Sequence, residues 1–281
     1  MELHNAGAEI YVADGSSADA ALSRTTHLGV SAHQDDLEIM AYHGILECFG
    51  KPDKGFTGVT VTNGAGSPRD GLYAHYTDEE MQVVRRKEQK KAAYVAEYSA
   101  HVFLDYSSGA VKDPNNSHVA GDLKRIIAAA KPQVIYTHNL ADKHDTHVAT
   151  ALRLIQALRE LPSDSRPQHL YGCEVWRNLD WLNDDDKVVF DVDGHENLAM
   201  SLVGLFDSQV AGGKRYDLAT MGRRRANATY LASHGVDKST SLIFAIELTP
   251  VMDAKVDVKE YTLGYINRFA KEVSGRLAKL M

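Results

Sequence analysis

Strand-like and helix-like segments alternate through the first 176 residues, and this alternation constrains the fold more than any other feature. Five short runs are apolar or rich in β-branched residues: 26–32, 56–64, 101–106, 133–139 and 169–176. The segments between these runs carry apolar residues at helical spacing. Such alternation predicts an α/β fold in which a mostly parallel sheet is covered by helices on both faces.

The chain is predicted to form one domain over residues 1–281. No linker rich in proline, glycine or serine divides it, and it contains no internal repeat. Residues 1–25 are expected to form an N-terminal arm or an edge hairpin, and residues 177–281 a C-terminal elaboration. A helix is expected to begin after Thr77, because Glu80 three residues later completes the pattern of a capping box.

Composition excludes several classes of protein and partner. The chain has 31 lysines and arginines against 38 aspartates and glutamates, and its net charge of −7 argues against nucleic acid as the main partner. Its two cysteines, Cys48 and Cys173, are far apart, which disfavours a disulfide framework or a cysteine-based zinc site. With no leader-like N-terminus and no long apolar run, the sequence predicts a soluble, cytoplasmic protein without a membrane span.

Two clusters of titratable side chains follow the first and fourth predicted strands. His33, Asp35 and Asp36 come directly after the first strand. The cluster after the fourth strand consists of His138, Asp142, His144, Asp145 and His147. In open parallel sheets, ligands bind beyond the carboxyl ends of the strands, where the strand order reverses. If these two strands are neighbours at that point, His33 and His147 face each other.

The same residues fit a hydrolytic metal site. Zinc in such sites has three protein ligands and one position for water, and His33, Asp36 and His147 supply such a set. Asp35 suits a general base, and His144, about one helical turn before His147, suits stabilisation of an oxyanion or protonation of a leaving amine. Taken singly, each histidine also fits a simple hydrogen-bonding group, and each acid fits helix capping.

Three segments resemble the motifs of the LmbE/PIG-L superfamily of zinc-dependent de-N-acetylases. AHQDDLEIMAYHG (32–44) is similar to A-H-[PA]-D-D-x-E, and KHDTHVAT (143–150) is similar to H-P-D-H-x-x-A. VRRKEQKKAA (84–93) resembles the helix motif R-x-x-E-x-x-x-A-A. Shorter pieces of the C-terminal half, FDSQ, RRRANA and AIEL, resemble the family more loosely.

The resemblance implies a Rossmann-like α/β fold and hydrolysis of an acetamide, typically on an N-acetylglucosamine unit. It implies the following roles by position: His33, Asp36 and His147 bind the metal, Asp35 is the base, and His144 assists the tetrahedral intermediate. Arg85, the first residue of its motif, is expected to contact the substrate or to pair with Glu88.

The chain departs from the family pattern at three positions. Gln34 stands where proline or a small residue is usual, and the acid after the aspartate pair is Glu38 rather than the residue directly after Asp36, a variant that the family also shows. Thr146 replaces the aspartate that, in the family, orients and charges the first histidine of the second motif. Asp142 and Asp145 are the candidates to replace that carboxylate, and until one is found the role of His144 stays open.

The sequence therefore predicts a metal-dependent hydrolase that removes an acetyl group from a small N-acetylated amino sugar or glycoside. Zn²⁺ is the expected cofactor, although a His₂Asp site also accepts Fe²⁺. Asn63, in a glycine-rich segment, is a candidate contact for a sugar hydroxyl. The sequence leaves open whether the chain forms a homo-oligomer.

Two other functions stay open at this point. Thr146 permits a catalytically idle protein that keeps the fold and binds a metal or a sugar. A cluster of basic residues favours instead a hydrolase of another bond, such as a phosphoester: Lys214, Arg215 and Arg223–Arg225.

Overall fold

The computed structural model describes residues 1–281 and contains one sheet of eight strands. The strands are β1 (Glu9–Tyr11), β2 (His27–Ser31), β3 (Phe56–Thr62), β4 (Ala100–Tyr106), β5 (Val134–His138), β6 (His169–Cys173), β7 (Val188–Asp191) and β8 (Leu242–Glu247). Their spatial order is β1-β4-β3-β2-β5-β6-β8-β7. The five strands from β4 to β6 are parallel, whereas β1, β8 and β7 pair in the antiparallel sense. The predicted, mostly parallel sheet is confirmed.

Eleven α-helices accompany the sheet. They are α1 (Ala18–Ser23), α2 (Asp36–Met40), α3 (Tyr42–Cys48), α4 (Asp78–Val95), α5 (Ser108–Lys112), α6 (His118–Ala130), α7 (Asp145–Arg159), α8 (Glu196–Gly204), α9 (Asp207–Val210), α10 (Tyr216–Tyr230) and α11 (Val258–Leu280). None of them combines the length and apolar character needed to cross a bilayer.

The core lies in two apolar clusters, one on each face of the sheet. Neighbouring residues of β8 alternate between them, with Phe244 in one cluster and Ala245 in the other. Every residue of β2 and β3 is buried, as expected for parallel strands covered by helices on both faces. The predicted fold class, a Rossmann-like sheet with helices on both faces, is therefore confirmed.

Local sequence explains where some helices begin and end. The Thr77 hydroxyl accepts the backbone N–H of Glu80, and the Glu80 carboxylate accepts the N–H of Thr77, so the predicted capping box starts α4. Residues 36–48, which carry apolar residues at helical spacing, form two short helices instead of a continuous one; they meet at Ala41, where φ is −107° and ψ is 17°. Residues 1–25 contribute the edge strand β1 and the helix α1 rather than a hairpin.

The strand order reverses at β2, which lies between β3 and β5. The chain leaves β2 through residues 32–35 into α2, and it leaves β5 through residues 139–144 into α7. Because β2 and β5 are parallel neighbours, these two loops emerge side by side at the carboxyl edge of the sheet. The sheet thus brings the two clusters of titratable residues together.

Candidate active site

Three polar side chains meet beyond β2 and β5: His33 from the loop after β2, Asp36 from α2 and His147 from α7. Nδ1 of His33 lies 3.2 Å from Nε2 of His147 and 3.3 Å from Oδ2 of Asp36. Nε2 of His147 lies 3.5 Å from Oδ1 of Asp36. This spacing fits atoms that share one ion with bond lengths of about 2 Å, so the donor set suits zinc or a similar divalent metal.

Two further imidazoles adjoin these three side chains. The His138 ring stacks on the His147 ring at a centroid distance of 3.9 Å, and the His144 ring does so at 4.6 Å. Potential ligand atoms of His33, His144 and His147 lie within 4.8 Å of one another, and so do those of Asp36, His138 and His147. His147 belongs to both sets and is therefore the centre of the cluster.

The loop after β2 is shaped by a strained backbone at Asp35. This residue has φ 88°, in the left-handed region, and the sharp turn lets α2 begin at Asp36. The backbone N–H of His33 donates to Oδ2 of Asp36 at 2.7 Å, which fixes the carboxylate against the loop. Such a conformation costs on the order of 1–3 kcal/mol in a non-glycine residue and is typical of functional sites.

Neighbouring imidazoles set the protonation state of Asp36, and burial sets that of His147. Burial alone would raise the pKa of Asp36, but the imidazoles of His147 and His138 hold that pKa well below its ordinary value. Burial lowers the pKa of His147 to about 4. At neutral pH the cluster therefore contains an ionised carboxylate and a neutral imidazole, which are the forms that bind a metal ion.

Arg85 of α4 lies behind Asp35. Its Nη2 is 3.4 Å from Oδ2 of Asp35, and its guanidinium also donates to the Gln34 carbonyl and the Ser67 hydroxyl. Burial raises the pKa of Asp35 well above its ordinary value; Arg85 opposes this rise and the charge of Asp36 adds to it. Arg85 thus partly offsets the cost of a buried carboxylate next to a second one.

The motif glutamate on the same helix has another partner. Glu88 accepts the backbone N–H of Ser208 at 2.8 Å and its hydroxyl at 2.6 Å, and it forms no ion pair with Arg85. Ser208 belongs to the FDSQ segment, so Glu88 ties the C-terminal elaboration to α4.

His144 has no carboxylate partner. Its Nδ1 is buried without a hydrogen bond, Thr146 is buried at the position of the usual aspartate, and Asp145 is exposed. Burial lowers the pKa of His144, and the imidazole of His33 adds to this effect. At neutral pH His144 is therefore an uncharged imidazole.

The carboxylate of Asp142 lies next to the imidazole of His147. Its Oδ2 lies 3.7 Å from Nδ1 of His147, on the side of the ring away from Asp36. The same carboxylate accepts the backbone N–H groups of His144 at 2.9 Å and Trp176 at 3.1 Å, which anchor it in the loop. Asp142 therefore does not replace the family aspartate that Thr146 stands for, because it approaches His147 and not the imidazole of His144.

A cleft of about 430 Å³ opens over the cluster. Its lining contains the predicted site residues His33, Asp35, Asp36, Arg85 and His144, together with Thr146, Trp176, Lys112, Lys214 and Tyr216. The ammonium of Lys214 lies 5.2 Å from the centre of the Trp176 ring. The cleft therefore offers an aromatic face and three cationic side chains, Arg85, Lys112 and Lys214, beside the cluster.

Asn63 does not line this cleft. Its side-chain oxygen accepts the backbone N–H of Ala65 at 3.2 Å, so the amide stabilises a local turn. A contact between Asn63 and a sugar hydroxyl stays a prediction that this geometry does not favour.

The cluster of basic residues is dispersed by the fold. Arg215 pairs with Asp217, Arg225 pairs with Glu196, and the buried Arg224 donates to the carbonyls of Glu38 and Ile39. Arg223 donates to the Val175 carbonyl. Only Lys214 of this group reaches the cleft, so the expected basic patch is not formed.

Sequence reasoning assigned no role to His138. This side chain is fully buried; its Nε2 accepts the backbone N–H of Ala32 at 2.9 Å and lies 3.4 Å from Oδ2 of Asp36. The signal available in the sequence was the position of His138, at the end of a strand and ahead of other titratable residues. Its contact with Asp36 depends on the pairing of β2 with β5.

Comparison with models of protein families identifies the family that residues 28–158 match. Residues 28–158 match the model of the PIG-L family, described as GlcNAc-PI de-N-acetylase. Residues 28–158 form a PIG-L family domain. This PIG-L domain runs from β2 to the end of α7 and contains all three motifs on which the resemblance was based.

Solved structures share the fold of the PIG-L domain and much of the chain beyond it. N,N′-diacetylchitobiose deacetylase from Pyrococcus horikoshii has 17% sequence identity and a TM-score of 0.58, over 78% of this chain and 82% of that one. The A40926 pseudoaglycone deacetylase Dbv21 has 17% identity and a TM-score of 0.57, over 80% and 97%. A comparison with curated proteins finds no match.

A third similar structure carries out a different reaction. GalB, a 4-carboxy-2-hydroxymuconate hydratase from Pseudomonas putida KT2440, has 15% identity and a TM-score of 0.57, over 80% of this chain and 97% of that one. Likeness at this level of identity establishes the fold of the PIG-L domain and not its reaction. The chemistry has to be argued from the site.

Proposed function

We propose that this protein is a metal-dependent hydrolase that removes the acetyl group from an N-acetylated amino sugar or glycoside of the N-acetylglucosamine type. Its PIG-L domain supports a deacetylase. The observation that carries the proposal is the approach of His33, Asp36 and His147 to within 3.5 Å of one another beside an open cleft. A cytoplasmic location stays a prediction from the sequence.

His33, Asp36 and His147 are the proposed ligands of a zinc ion, and Fe²⁺ is the alternative for this donor set. When bound, such an ion lowers the pKa of water and polarises the carbonyl of the substrate. The low pKa of Asp36 and the neutral His147 leave both side chains ready to bind without first losing a proton.

Asp35 is the proposed general base. It lines the cleft next to Asp36, and its contact with Arg85 holds the carboxylate in place. Its carboxylate takes a proton from the attacking water and, once protonated, can return it to the departing amine nitrogen. Because burial favours the protonated form of Asp35, the group is suited to holding that proton between the two steps.

His144 is proposed to support the oxyanion of the tetrahedral intermediate. Its ring edge faces His33, at a centroid distance of 5.1 Å, and its side chain lines the cleft. As an uncharged imidazole it donates a neutral hydrogen bond, which is weaker than one from an imidazolium. Protonation of the amine then falls mainly to Asp35.

The cleft supports a sugar-sized substrate. Trp176 offers a face on which a pyranose ring can stack, and Arg85 and Lys214 offer donors for hydroxyl oxygens. The dispersal of the basic residues argues against a phosphoester as the substrate, because Lys214 is the sole member of that cluster at the cleft.

Release of acetate tests the proposal. The zinc-loaded protein is incubated with N-acetylglucosamine, its glycosides and N,N′-diacetylchitobiose, and acetate is measured. We expect acetate from the wild type and at least 100-fold less from Asp35→Asn, whereas Asp113→Asn, a change at an exposed loop residue, retains full activity. Binding of these sugars without acetate would favour the idle protein instead. Phosphate from a phosphomonoester panel would favour a phosphoesterase, and no product from either panel would overturn the proposal.

A further inference from the structure

The outer half of α11 is exposed to solvent along its length. Tyr265 is the one buried residue of this helix, and every residue from Ile266 onward is exposed. The span from Ile266 to Leu280 is roughly 21 Å long at 1.5 Å per residue. A helix of this length with so little packing is marginal in water, so a partner is expected to stabilise it.

The exposed half carries an apolar stripe. Ile266, Phe269, Val273, Leu277 and Leu280 have exposed fractions of 40%, 37%, 39%, 56% and 76%. Three of these residues, Ile266, Val273 and Leu280, are spaced by seven positions, and the other two lie between them on the same side of the helix. A repeat of seven is the spacing of a seam between two packed helices.

The stripe begins at the body, next to an acidic loop. The Phe269 ring makes an edge contact with Trp181, at a centroid distance of 6.2 Å. One residue earlier, Nε of Arg268 lies 2.8 Å from Oδ2 of Asp186. Asp186 ends the run Asp184–Asp186, in which Asp185 is exposed and forms no ion pair. Asp184 pairs with Lys187, so Asp185 carries the one unpaired negative charge of this run at the base of the exposed half.

The tip of the same helix carries an unpaired cation. Arg276 pairs with Glu272, whereas Lys279, in the last turn of α11, forms no ion pair. The whole chain has a net charge of −7. Asp185 at the base and Lys279 at the tip complement each other when two such helices pack in opposite directions.

We propose that α11 pairs with α11 of a second copy of this chain in an antiparallel, two-fold symmetric contact centred on Val273. In this register Leu280 of one copy packs against Ile266 of the other, and Leu277 packs against Phe269. The two-fold axis puts the same flank of both helices on the same side. Lys279 of each copy is thereby brought to the loop Asp184–Asp186 of the other, and the contact closes on itself as a dimer.

This arrangement accounts for features that binding to an anionic membrane does not. A membrane-bound helix needs a broad apolar face and is repelled when acidic groups accompany it. Here the acidic run Asp184–Asp186 stands at the base of the stripe. The proposal is independent of the activity, because no residue of α11 lines the cleft.

Molar mass in solution tests the proposal. By sedimentation equilibrium and light scattering at 1–100 µM, we expect twice the mass of one chain for the wild type and the mass of one chain for Val273→Glu. Ala278→Glu is the matched control, since Ala278 lies about 140° around the helix from Val273, and it stays dimeric. A monomeric wild type, or equal masses for the two variants, would overturn the proposal. So would a monomer that binds phosphatidylglycerol vesicles through the stripe.

Disulfide trapping tests the direction of the helices. The native Cys48 and Cys173 are buried and do not interfere. In the antiparallel register the double variant Ile266→Cys/Leu280→Cys forms a covalent dimer on mild oxidation, whereas neither single variant does. Crosslinking of Leu280→Cys alone would require parallel helices and would contradict the proposed arrangement.

Discussion

The carboxylate of Asp142 faces the far nitrogen of His147: Oδ2 lies 3.7 Å from Nδ1, and both side chains are fully shielded from solvent. A carboxylate in this position orients a histidine ligand and raises its basicity. Asp142→Asn is therefore expected to weaken metal binding by about 10–100-fold. Competition with a chromogenic chelator measures this, with the exposed Asp145→Asn as the control and circular dichroism as the check on folding. Equal metal affinities in the two variants would show that Asp142 has no such role.

Replacement of Thr146 by aspartate tests the protonation state of His144. A carboxylate beside a buried imidazole raises its pKa, typically by 1–3 units when the two are close. Thr146→Asp is therefore expected to raise the pKa of His144, which an NMR titration of its imidazole ring protons measures. Thr146→Asn, which adds no charge, is the control and leaves that pKa unchanged. The idea fails if His144 titrates alike in the two variants.

Arg85 and Arg86 are adjacent on α4, but Arg85 belongs to the candidate site and Arg86 to the surface. Arg85 is buried against Asp35, whereas Arg86 is partly exposed and pairs with Glu9 and Asp105. Arg85→Met leaves a buried carboxylate without its counter-charge, so we expect a loss of about 3–5 kcal/mol in the free energy of unfolding and little remaining activity. Arg86→Met is expected to cost about 1 kcal/mol or less and to keep its activity. Urea denaturation of both metal-free variants compares them, and similar losses would refute this assignment.

A buried histidine outside the site makes stability depend on pH. His101 is fully buried and its Nε2 lies 3.0 Å from the Thr60 hydroxyl. Burial lowers the pKa of His101 to about 3. Below about pH 6.5 this histidine binds a proton in the unfolded chain but not in the folded one. The free energy of unfolding therefore falls as the pH drops from about 6.5 towards 3.

One such group changes the free energy of unfolding by about 1.4 kcal/mol for each pH unit. His101→Gln keeps a donor for Thr60 but does not titrate. Below about pH 6.5, the free energy of unfolding of this variant is expected to depend less steeply on pH than that of the wild type. The difference in slope corresponds to nearly one bound proton, and urea unfolding between pH 5 and 8 measures it. Parallel stability curves for the two proteins would contradict the prediction.

Much of the fold was predictable from short sequence patterns, each within a single strand or helix. The parallel strands were predictable because they are buried on both faces and read as apolar runs, as β2 and β3 do. The antiparallel strand β7 was missed, because only one of its four residues, Phe190, is buried and its sequence lacks a core pattern. The break at Ala41 was missed because no proline or glycine marks it.

The candidate site was predictable to the extent that its residues follow strands. His33 and His147 meet because β2 and β5 are parallel neighbours, an order that the alternation of strands and helices allows but does not determine. Two other side-chain contacts were not predictable. Glu88 binds Ser208 of α9 across 120 positions, and Asp142 faces His147 rather than His144; both depend on how the elements pack.

Metal content tests the central claim most directly. The wild type, His33→Ala, Asp36→Ala and His147→Ala are dialysed against micromolar Zn²⁺, washed and analysed for zinc, with His43→Ala, a histidine outside the cluster, as the control. We predict close to one zinc ion per chain in the wild type and in His43→Ala, and well under half of that in each of the other three. Full zinc content in His33→Ala and His147→Ala would contradict the ligand assignment and, with it, the proposed hydrolase.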